Sequence, residues 1–184
     1  SKRWLVTELE SLDISLGTVF LCAGWYATLA AMLFQSKCNI DKIRSFDIDE
    51  SCLQIADTIN RNQVKEDWKF KSITQDIMDI DYNKHEWQIW SNTNNRMSYP
   101  ITDMPDTIIN TSCEHIENFD EWYAKIPSGK LVILQSNNFF DVDEHVNCVE
   151  DCTQFRITAP MTTQLYAGEL ELPKYKRFML IGYK

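Results

Sequence analysis

Short apolar runs alternate with segments of helical spacing along most of this chain. Such runs predict five buried strands and then two longer strands close to the C-terminus, at residues 18–22, 42–46, 68–73, 107–110, 131–135, 163–172 and 177–183. Alternation of strand and helix favours a parallel sheet with helices on both faces, because right-handed crossovers place each helix over the sheet. The sequence therefore predicts an α/β fold, with a doubly wound, mostly parallel seven-stranded sheet and an antiparallel C-terminal hairpin.

The helical segments between these strands carry recognisable end signals. Apolar spacing predicts helices at 4–12, 27–34, 50–60 and 147–155, and another that starts at Asn118 or Asp120 and runs to Ala124. Asp49 is the expected N-cap of the 50–60 helix, because its carboxylate can accept from free amides of the first turn. The length fits one domain, 1–184, in which residues 82–104 form an irregular insertion.

Composition excludes some classes of function. The net charge of −9 disfavours a nucleic-acid partner, since phosphate backbones need a basic surface. No window approaches the roughly 18 consecutive apolar residues of a membrane span, and no apolar N-terminal segment predicts a secretory signal. Six cysteines without a CxxC pair indicate reduced thiols and a cytoplasmic protein. Cys148, Cys152 and His145 offer too few ligands for zinc, so no metal site is predicted.

The corner after the first predicted strand reads Cys22-Ala23-Gly24-Trp25-Tyr26. Carboxyl ends of parallel strands are where such sheets bind ligands. Ala23 and Gly24 allow a ligand close to the backbone, but a pyrophosphate-binding loop would read GxGxxG. The corner therefore predicts a smaller, less anionic ligand than a dinucleotide. Trp25 and Tyr26 either line that pocket or pack beneath the N-terminal helix.

Two further carboxylates follow the second and third predicted strands. Asp47 can accept both hydroxyls of a ribose, since Asp49 already fills the helix-cap role. Asp76 can accept from the exocyclic amine of a purine, with Ile48 and Ile77 packed on the ring faces. The alternatives are a turn residue for Asp47 and a solvated loop acid for Asp76.

Five motifs, in this order, resemble those of the class I S-adenosylmethionine-dependent methyltransferases, a Rossmann-like family. FLCAGWYA stands at the position of the first loop, FDIDESCLQIAD is similar to the second motif, and TQDIMD to the third. NTSCEHI and IPSGKLVIL resemble the fourth and fifth, and the resemblance covers 18–184. Cys22, Ala23 and Ser128 depart from residues common in the family. No Asp/Asn-Pro-Pro-Tyr/Phe follows the fourth strand, which disfavours methylation of amino groups on DNA bases.

The resemblance implies S-adenosylmethionine as the cofactor and assigns roles to single residues. Gly24 would lie against the amino acid part, Asp47 would hold the ribose, and Asp76 the adenine. The cofactor-binding set is then Cys22, Ala23, Gly24, Trp25, Tyr26, Asp47, Ile48, Asp76, Ile77, Asn110 and Thr111, with the last two beneath the sulfonium. Glu114 and His115 are the nearest candidates for a catalytic base; alternatively, both orient the loop and the following helix.

Three functions remain open at this point. The favoured one is a methyltransferase acting on a small-molecule acceptor, with residues 82–104 on the acceptor side; alternatively, that segment is a surface hairpin whose tryptophans pack inward. The second is an enzyme of the same fold that uses the cofactor for another reaction. The third is a non-catalytic binding or structural module with a degenerate cofactor site, which the glycine-poor first loop suggests.

Overall fold

The structure is a computed structural model and describes residues 1–91 and 95–184. Its helices and strands follow each other as α1 (Lys2–Leu12), β1 (Ser15–Cys22), α2 (Thr28–Phe34), β2 (Asn39–Asp47), α3 (Ser51–Ile59), α4 (Arg61–Lys65), β3 (Phe70–Thr74), β4 (His85–Trp87), β5 (Trp90–Ser91), β6 (Arg96–Met97), β7 (Ile101–Asp103), β8 (Thr107–Asn110), α5 (Phe119–Lys125), β9 (Leu131–Asn137), α6 (Cys152–Thr158), β10 (Thr163–Glu171) and β11 (Lys176–Tyr183). Residues 92–94 of the predicted insertion lie outside the described residues.

Seven of these strands form one sheet in the order β3-β2-β1-β8-β9-β11-β10. Pairing is parallel from β3 through to β9, and β11 runs antiparallel to both β9 and β10. The predicted fold class, including the antiparallel C-terminal hairpin, is confirmed. Because the chain moves outward from β1 to β3 and returns to β8 on the other side of β1, the crevice between β1 and β8 is the topological switch point.

Alternating side chains of the central strands form a separate core on each face of the sheet. Phe20 and Cys22 point into one core, where they meet Trp122 of α5 and Phe155 of α6. The intervening residues of β1, together with apolar residues of α1, α2 and α3, form the second core. Both faces are therefore covered, as period-2 strands between two helical layers require.

Two details of the predicted helices differ from the structure. The prediction of a helix at 147–155 is wrong at its start: α6 begins only at Cys152, where the Asp151 carboxylate accepts from the Gln154 amide at 2.8 Å. Cys148 therefore precedes the helix and shares no helix face with Cys152. Asp49 does accept from the first-turn amide of Ser51 at 2.9 Å, although Glu50 is the residue at the N-cap position.

The segment between β3 and β8 covers one face of the sheet without a long helix. β4 pairs antiparallel with β7, and β5 with β6. The buried His85 ring packs edge-on against Phe20 and Phe46, with centroid distances of 5.8 and 5.0 Å. Trp87 is buried and Trp90 is exposed, so one of the two tryptophans packs inward.

Asp103 anchors this segment to the sheet. Its carboxylate, buried in the protein, accepts from Lys42 Nζ at 2.9 Å, Arg44 Nε at 2.6 Å and Trp87 Nε1 at 2.7 Å. Burial acts to raise the pKa of Asp103, but these hydrogen bonds outweigh it and hold the pKa below its ordinary value. The anchor therefore consists of an ionised carboxylate between two cations.

Among residues 1–91 and 95–184, no helix combines the length and the apolar character that crossing a membrane requires.

Candidate functional site

Two adjoining cavities open at the carboxyl ends of the central strands. The first, about 310 Å³, reaches from the loop after β1 to the turn after β8. The second, about 400 Å³, reaches from that turn to the loop after β3. Ala23, Asp47 and His115 line both. Each volume lies within the range of small-molecule sites, and their position at the switch point is where sheets of this kind bind ligands.

The loop after β1 holds an unusual backbone for its sequence. Ala23, Trp25 and Ala27 all have positive φ, near 50°, and are three of the seven such non-glycine residues in the described chain. Gly24 does not adopt this conformation. Its role is one of space, because a Cβ there would overlap Ser45 Oγ. The single glycine therefore brings the loop against β2, and residues that ordinarily avoid left-handed backbone supply the turns.

Asp47 links this loop to the end of β2. Its carboxylate accepts from the Trp25 amide at 2.8 Å and from the Asp49 amide at 3.1 Å. Both contacts are solvent-exposed, and each oxygen retains a lone pair for a further donor. Asp47 thus presents acceptors to both cavities while fixing the loop beside them.

Asp76 and its neighbours form the far end of the second cavity. The Asp76 carboxylate is exposed and accepts from the Met78 amide at 2.9 Å, which caps a short 3₁₀ turn. Ile77 and Ile48 both line this cavity; Ile77 is 6% exposed and Ile48 is 72% exposed. This end therefore has two apolar side chains and a carboxylate at its edge.

Asn110 is the last residue of β8, and Thr111 follows it in the wall of the first cavity. Asn110 is fully buried; its Oδ1 accepts from the Ser112 amide at 2.8 Å, while Nδ2 has no partner among the described residues. Thr111 lines the first cavity, and its carbonyl accepts from the Arg177 guanidinium. A buried donor without a partner is costly, so a ligand oxygen reaching Asn110 would remove that cost.

Glu114 and His115 are placed differently, although they are adjacent in sequence. Glu114 is buried at 3% exposure and lines neither cavity; its Oε1 accepts from Arg177 Nη1 at 3.1 Å. His115 is exposed, lines both cavities and contacts the Glu144 carbonyl through Nδ1 at 3.0 Å. Of the two, only His115 can meet a ligand in these cavities.

Two of the predicted loop residues lie away from the cavities. Cys22 is buried in the core, with Sγ 3.5 Å from the Tyr82 hydroxyl, and burial raises the pKa of its thiol to about 12. Tyr26 stacks on Trp25 with a centroid distance of 4.0 Å, and only Trp25 reaches the first cavity. Cofactor contacts by Cys22 and Tyr26 stay predictions that these side-chain positions do not favour.

Several cavity residues were missed by the sequence reasoning. Four lie inside the quoted motifs (Leu21, Met78, Ser112 and Ile116), four directly follow a motif (Thr28, Leu29, Glu117 and Asn118), and Lys2 lies in α1. Lys2 is the notable one, because burial, and then the charge of Arg177, lower the pKa of its ammonium. The others could have been found by taking every residue of each motif together with the two that follow it; Lys2 could not, since nothing in α1 signals a site. No described residue of 82–104 lines either cavity, so an acceptor-side role for that segment stays a prediction.

No known protein-family profile matches the chain, and a search of curated proteins finds no relative in sequence. Solved structures, however, match its whole length. The N-methyltransferase NodS from Bradyrhizobium japonicum WM9 is 12% identical over 100% of this chain and 96% of that chain, with a TM-score of 0.63. The [4+2]-cyclase SpnF is 10% identical over 100% and 80%, with a TM-score of 0.68. The small RNA methyltransferase HEN1 is 14% identical over 100% and 25%, with a TM-score of 0.65.

The chain has the class I S-adenosylmethionine-dependent methyltransferase fold. The strand order and the antiparallel β11 agree with that conclusion. Within this methyltransferase fold, the two cavities occupy the carboxyl edge, where Gly24, Asp47 and Asp76 share one rim. A second NodS structure is a complex with S-adenosyl-l-homocysteine, and it covers 99% of this chain at a TM-score of 0.64.

Proposed function

We propose that this protein is an S-adenosylmethionine-dependent methyltransferase that acts on a small-molecule acceptor. The observation that carries the proposal is the pair of cavities that meet at Asp47, at the switch point of a methyltransferase fold. Their combined length offers one compartment for an amino acid part and another for a nucleoside.

The residues present fit this cofactor at two points. Asp47 has free lone pairs where the two cavities meet, and Asn110, directly before the cavity residue Thr111, has a buried amide nitrogen without a described partner. Asp47 would hold the ribose, and Asp76 with Ile77 and Ile48 would hold the adenine. The first cavity would take the amino acid part.

Lys2 adds a contact for that amino acid part. It is the cation that α1 contributes to the first cavity, and its partial burial strengthens an interaction with a carboxylate there. The loop after β1 has no basic side chain, so Lys2 would supply the positive charge that pairs with the carboxylate of the amino acid part.

When bound, the cofactor supplies an electrophilic methyl group on a positively charged leaving group. The protein then contributes mainly alignment of donor and acceptor, which is worth roughly 7–11 kcal/mol in favourable cases. His115 can accept a proton from an acceptor that arrives protonated, because the Glu144 carbonyl orients its ring through Nδ1. Glu114 would act by holding Arg177 beside the Thr111 carbonyl instead of touching the acceptor.

A small acceptor is favoured over nucleic acid by charge. The chain carries a net charge of −9, and the rim of the second cavity holds Asp47, Asp76 and Glu117. These carboxylates would repel a phosphate backbone. HEN1, a small RNA methyltransferase, has the same fold, although this chain covers only 25% of it. The fold by itself therefore does not determine the acceptor.

One structurally similar protein supports a second candidate function, in which the cofactor is bound but no methyl group is transferred. SpnF, a [4+2]-cyclase, has this fold at a TM-score of 0.68. The same pocket in the present protein could therefore serve a reaction other than methyl transfer. In that case the cofactor would bind, yet S-adenosylhomocysteine would not accumulate.

Calorimetric titration with S-adenosylmethionine tests the binding step. We expect one site per chain and an increase in Tm. Incubation with methyl-labelled S-adenosylmethionine and a fractionated pool of small metabolites, and in parallel with total RNA, tests the reaction. Label in a small product, together with S-adenosylhomocysteine, supports the proposal; label in RNA overturns the acceptor class. Binding without any label supports the second function, and the absence of binding overturns both.

A further inference from the structure

A cluster of three potential metal ligands lies beside the cofactor cavities. Glu114 and His115 come from the turn after β8, and His145 comes from the segment after β9. One ligand atom from each lies within 4.8 Å of the other two. Strands β8 and β9 are parallel neighbours, so their carboxyl ends bring these residues together.

Both imidazole rings are held in the orientation that metal-binding histidines usually adopt. Nδ1 of His115 lies 3.0 Å from the Glu144 carbonyl oxygen, and Nδ1 of His145 lies 2.8 Å from the Phe139 carbonyl oxygen. A carbonyl can only accept, so each Nδ1 carries a proton and Nε2 is the ring nitrogen left to bind a metal ion. In histidines that bind a metal, a hydrogen bond from the other ring nitrogen to a carbonyl oxygen fixes the tautomer and the orientation of the ring.

The third member has a buried oxygen that needs a partner. Glu114 is 3% exposed, and Arg177 occupies only its Oε1. Glu114 Oε2 is buried and has no hydrogen-bond partner among residues 1–91 and 95–184. An unpaired carboxylate oxygen in the protein interior is costly, and a cation would remove that cost. This observation is independent of the ring geometry and points to the same cluster.

We propose that Glu114, His115 and His145 form a binding site for a divalent transition-metal ion. Two imidazoles and one carboxylate suit ions from Mn²⁺ to Zn²⁺, whereas Mg²⁺ and Ca²⁺ prefer oxygen ligands. Ligand atoms around such an ion stand about 3.4 Å apart for metal–ligand distances of about 2.1 Å. Because the ligand atoms lie within 4.8 Å of one another, each pair has to approach by no more than about 1.4 Å on binding.

Three protein ligands leave coordination positions free, and one of the three, His115, also lines both cavities. A water molecule or an oxygen atom of a bound compound can fill them, as in metal sites that keep an open position. Arg177 stays on Glu114 Oε1 and limits the net negative charge of the site. A metal ion on His115 Nε2 would take the lone pair that a base needs, so His115 would not act as the base while the ion is bound; the proposal itself concerns metal binding by the protein alone.

Titration of the metal-free protein with Co²⁺ and with Zn²⁺ tests the site. We expect one ion per chain and a Co²⁺ spectrum of nitrogen and oxygen ligands without a thiolate charge-transfer band. His145→Ala should raise the Kd at least about tenfold, since even a residue behind a metal ligand changes affinity about 10–100-fold. Glu114→Gln should do the same, and its thermal melt shows whether the fold persists.

Cys148→Ser is the matched control, because Cys148 is a half-buried thiol close to the cluster and hydrogen-bonded to Asn137 at 3.4 Å. It should bind both ions as the parent does. The proposal is overturned if the parent binds neither ion at micromolar concentration, if His145→Ala binds as tightly as the parent, or if Cys148→Ser abolishes binding.

Discussion

Replacing Asp47 by alanine perturbs the point at which the two cavities meet. The carboxylate lines both and accepts from the Trp25 and Asp49 amides at 2.8 and 3.1 Å. These two amides are exposed, so water can replace the carboxylate as their acceptor. We therefore expect the substitution to lower the free energy of unfolding by no more than about 1 kcal/mol.

The expected effect on cofactor binding is larger. Hydrogen bonds to a charged group contribute about 1.5–3 kcal/mol each, and two ribose hydroxyls would each donate one to Asp47. Taking the lower figure for both gives about 3 kcal/mol, which corresponds to a Kd about 150-fold higher. Asp47→Asn should fall between the parent and Asp47→Ala, because one acceptor oxygen remains.

Calorimetry with S-adenosylmethionine measures this change, with Asp49→Ala as the control. Asp49 lies in the same loop, carries the same charge and lines neither cavity. If Asp47→Ala binds within twofold of the parent, the ribose contact is wrong. If Asp49→Ala weakens binding equally, the effect comes from loop charge, and the assignment to Asp47 fails.

Further substitutions test the loop and the core. Gly24→Ala should weaken S-adenosylmethionine binding at least about tenfold, because the new Cβ would overlap Ser45 Oγ. The double variant Gly24→Ala/Ser45→Ala should bind as the parent does, and calorimetry measures the Kd of both variants. Asp103→Asn should lower the free energy of unfolding by about 3 kcal/mol at neutral pH, since two cations lose their charged partner. Because the folded-state pKa of Asp103 is held below its ordinary value, this contribution is present above the unfolded-state pKa and is lost as the pH falls through the lowered folded-state pKa. Urea titrations at decreasing pH should show the free energies of unfolding of the parent and Asp103→Asn converging as the pH falls through that lowered pKa. Tyr82→Phe should cost about 1–3 kcal/mol by the same assay, because the Tyr82 hydroxyl accepts from Trp122 Nε1 at 2.7 Å; equal stability would contradict this.

The order of strands could be predicted because it rests on local periodicity and on a general rule of handedness. Asp47 and Asp76 were placed at one edge for the same reason, since parallel strands end at a common rim. The structure puts both on the second cavity. Their roles toward a cofactor were a further step, which came from resemblance and stays a prediction.

The conformation of the loop after β1 could not be predicted in this way. Left-handed backbone is expected at glycine or asparagine, yet Ala23, Trp25 and Ala27 adopt it. Gly24 was interpreted as making room for a ligand, whereas the structure uses it to admit Ser45. Packing of the loop against β2 determines these backbone angles, and a local sequence pattern carries no information about that packing.

Contacts between distant segments were also beyond local patterns. Asp103 meets Lys42 and Arg44 across the sheet face, and Lys2 reaches a cavity built from other elements. The cysteine-based reasoning about metals considered His145 together with Cys148 and Cys152. It missed His115, which only the neighbouring ends of β8 and β9 bring to His145.

The carboxyl edge divides into two parts that can be separated by experiment. Asp47 belongs to the part formed by β1 and β2, and His145 to the part formed by β8 and β9; His145 lines neither cavity. Asp47→Ala should therefore weaken S-adenosylmethionine binding and leave the Kd for Co²⁺ within about twofold of the parent, while His145→Ala should do the reverse, because Asp47 and His145 share no hydrogen-bond partner. Loss of both ligands in either variant would mean that the two parts form a single site, because only His115 connects them in the described chain.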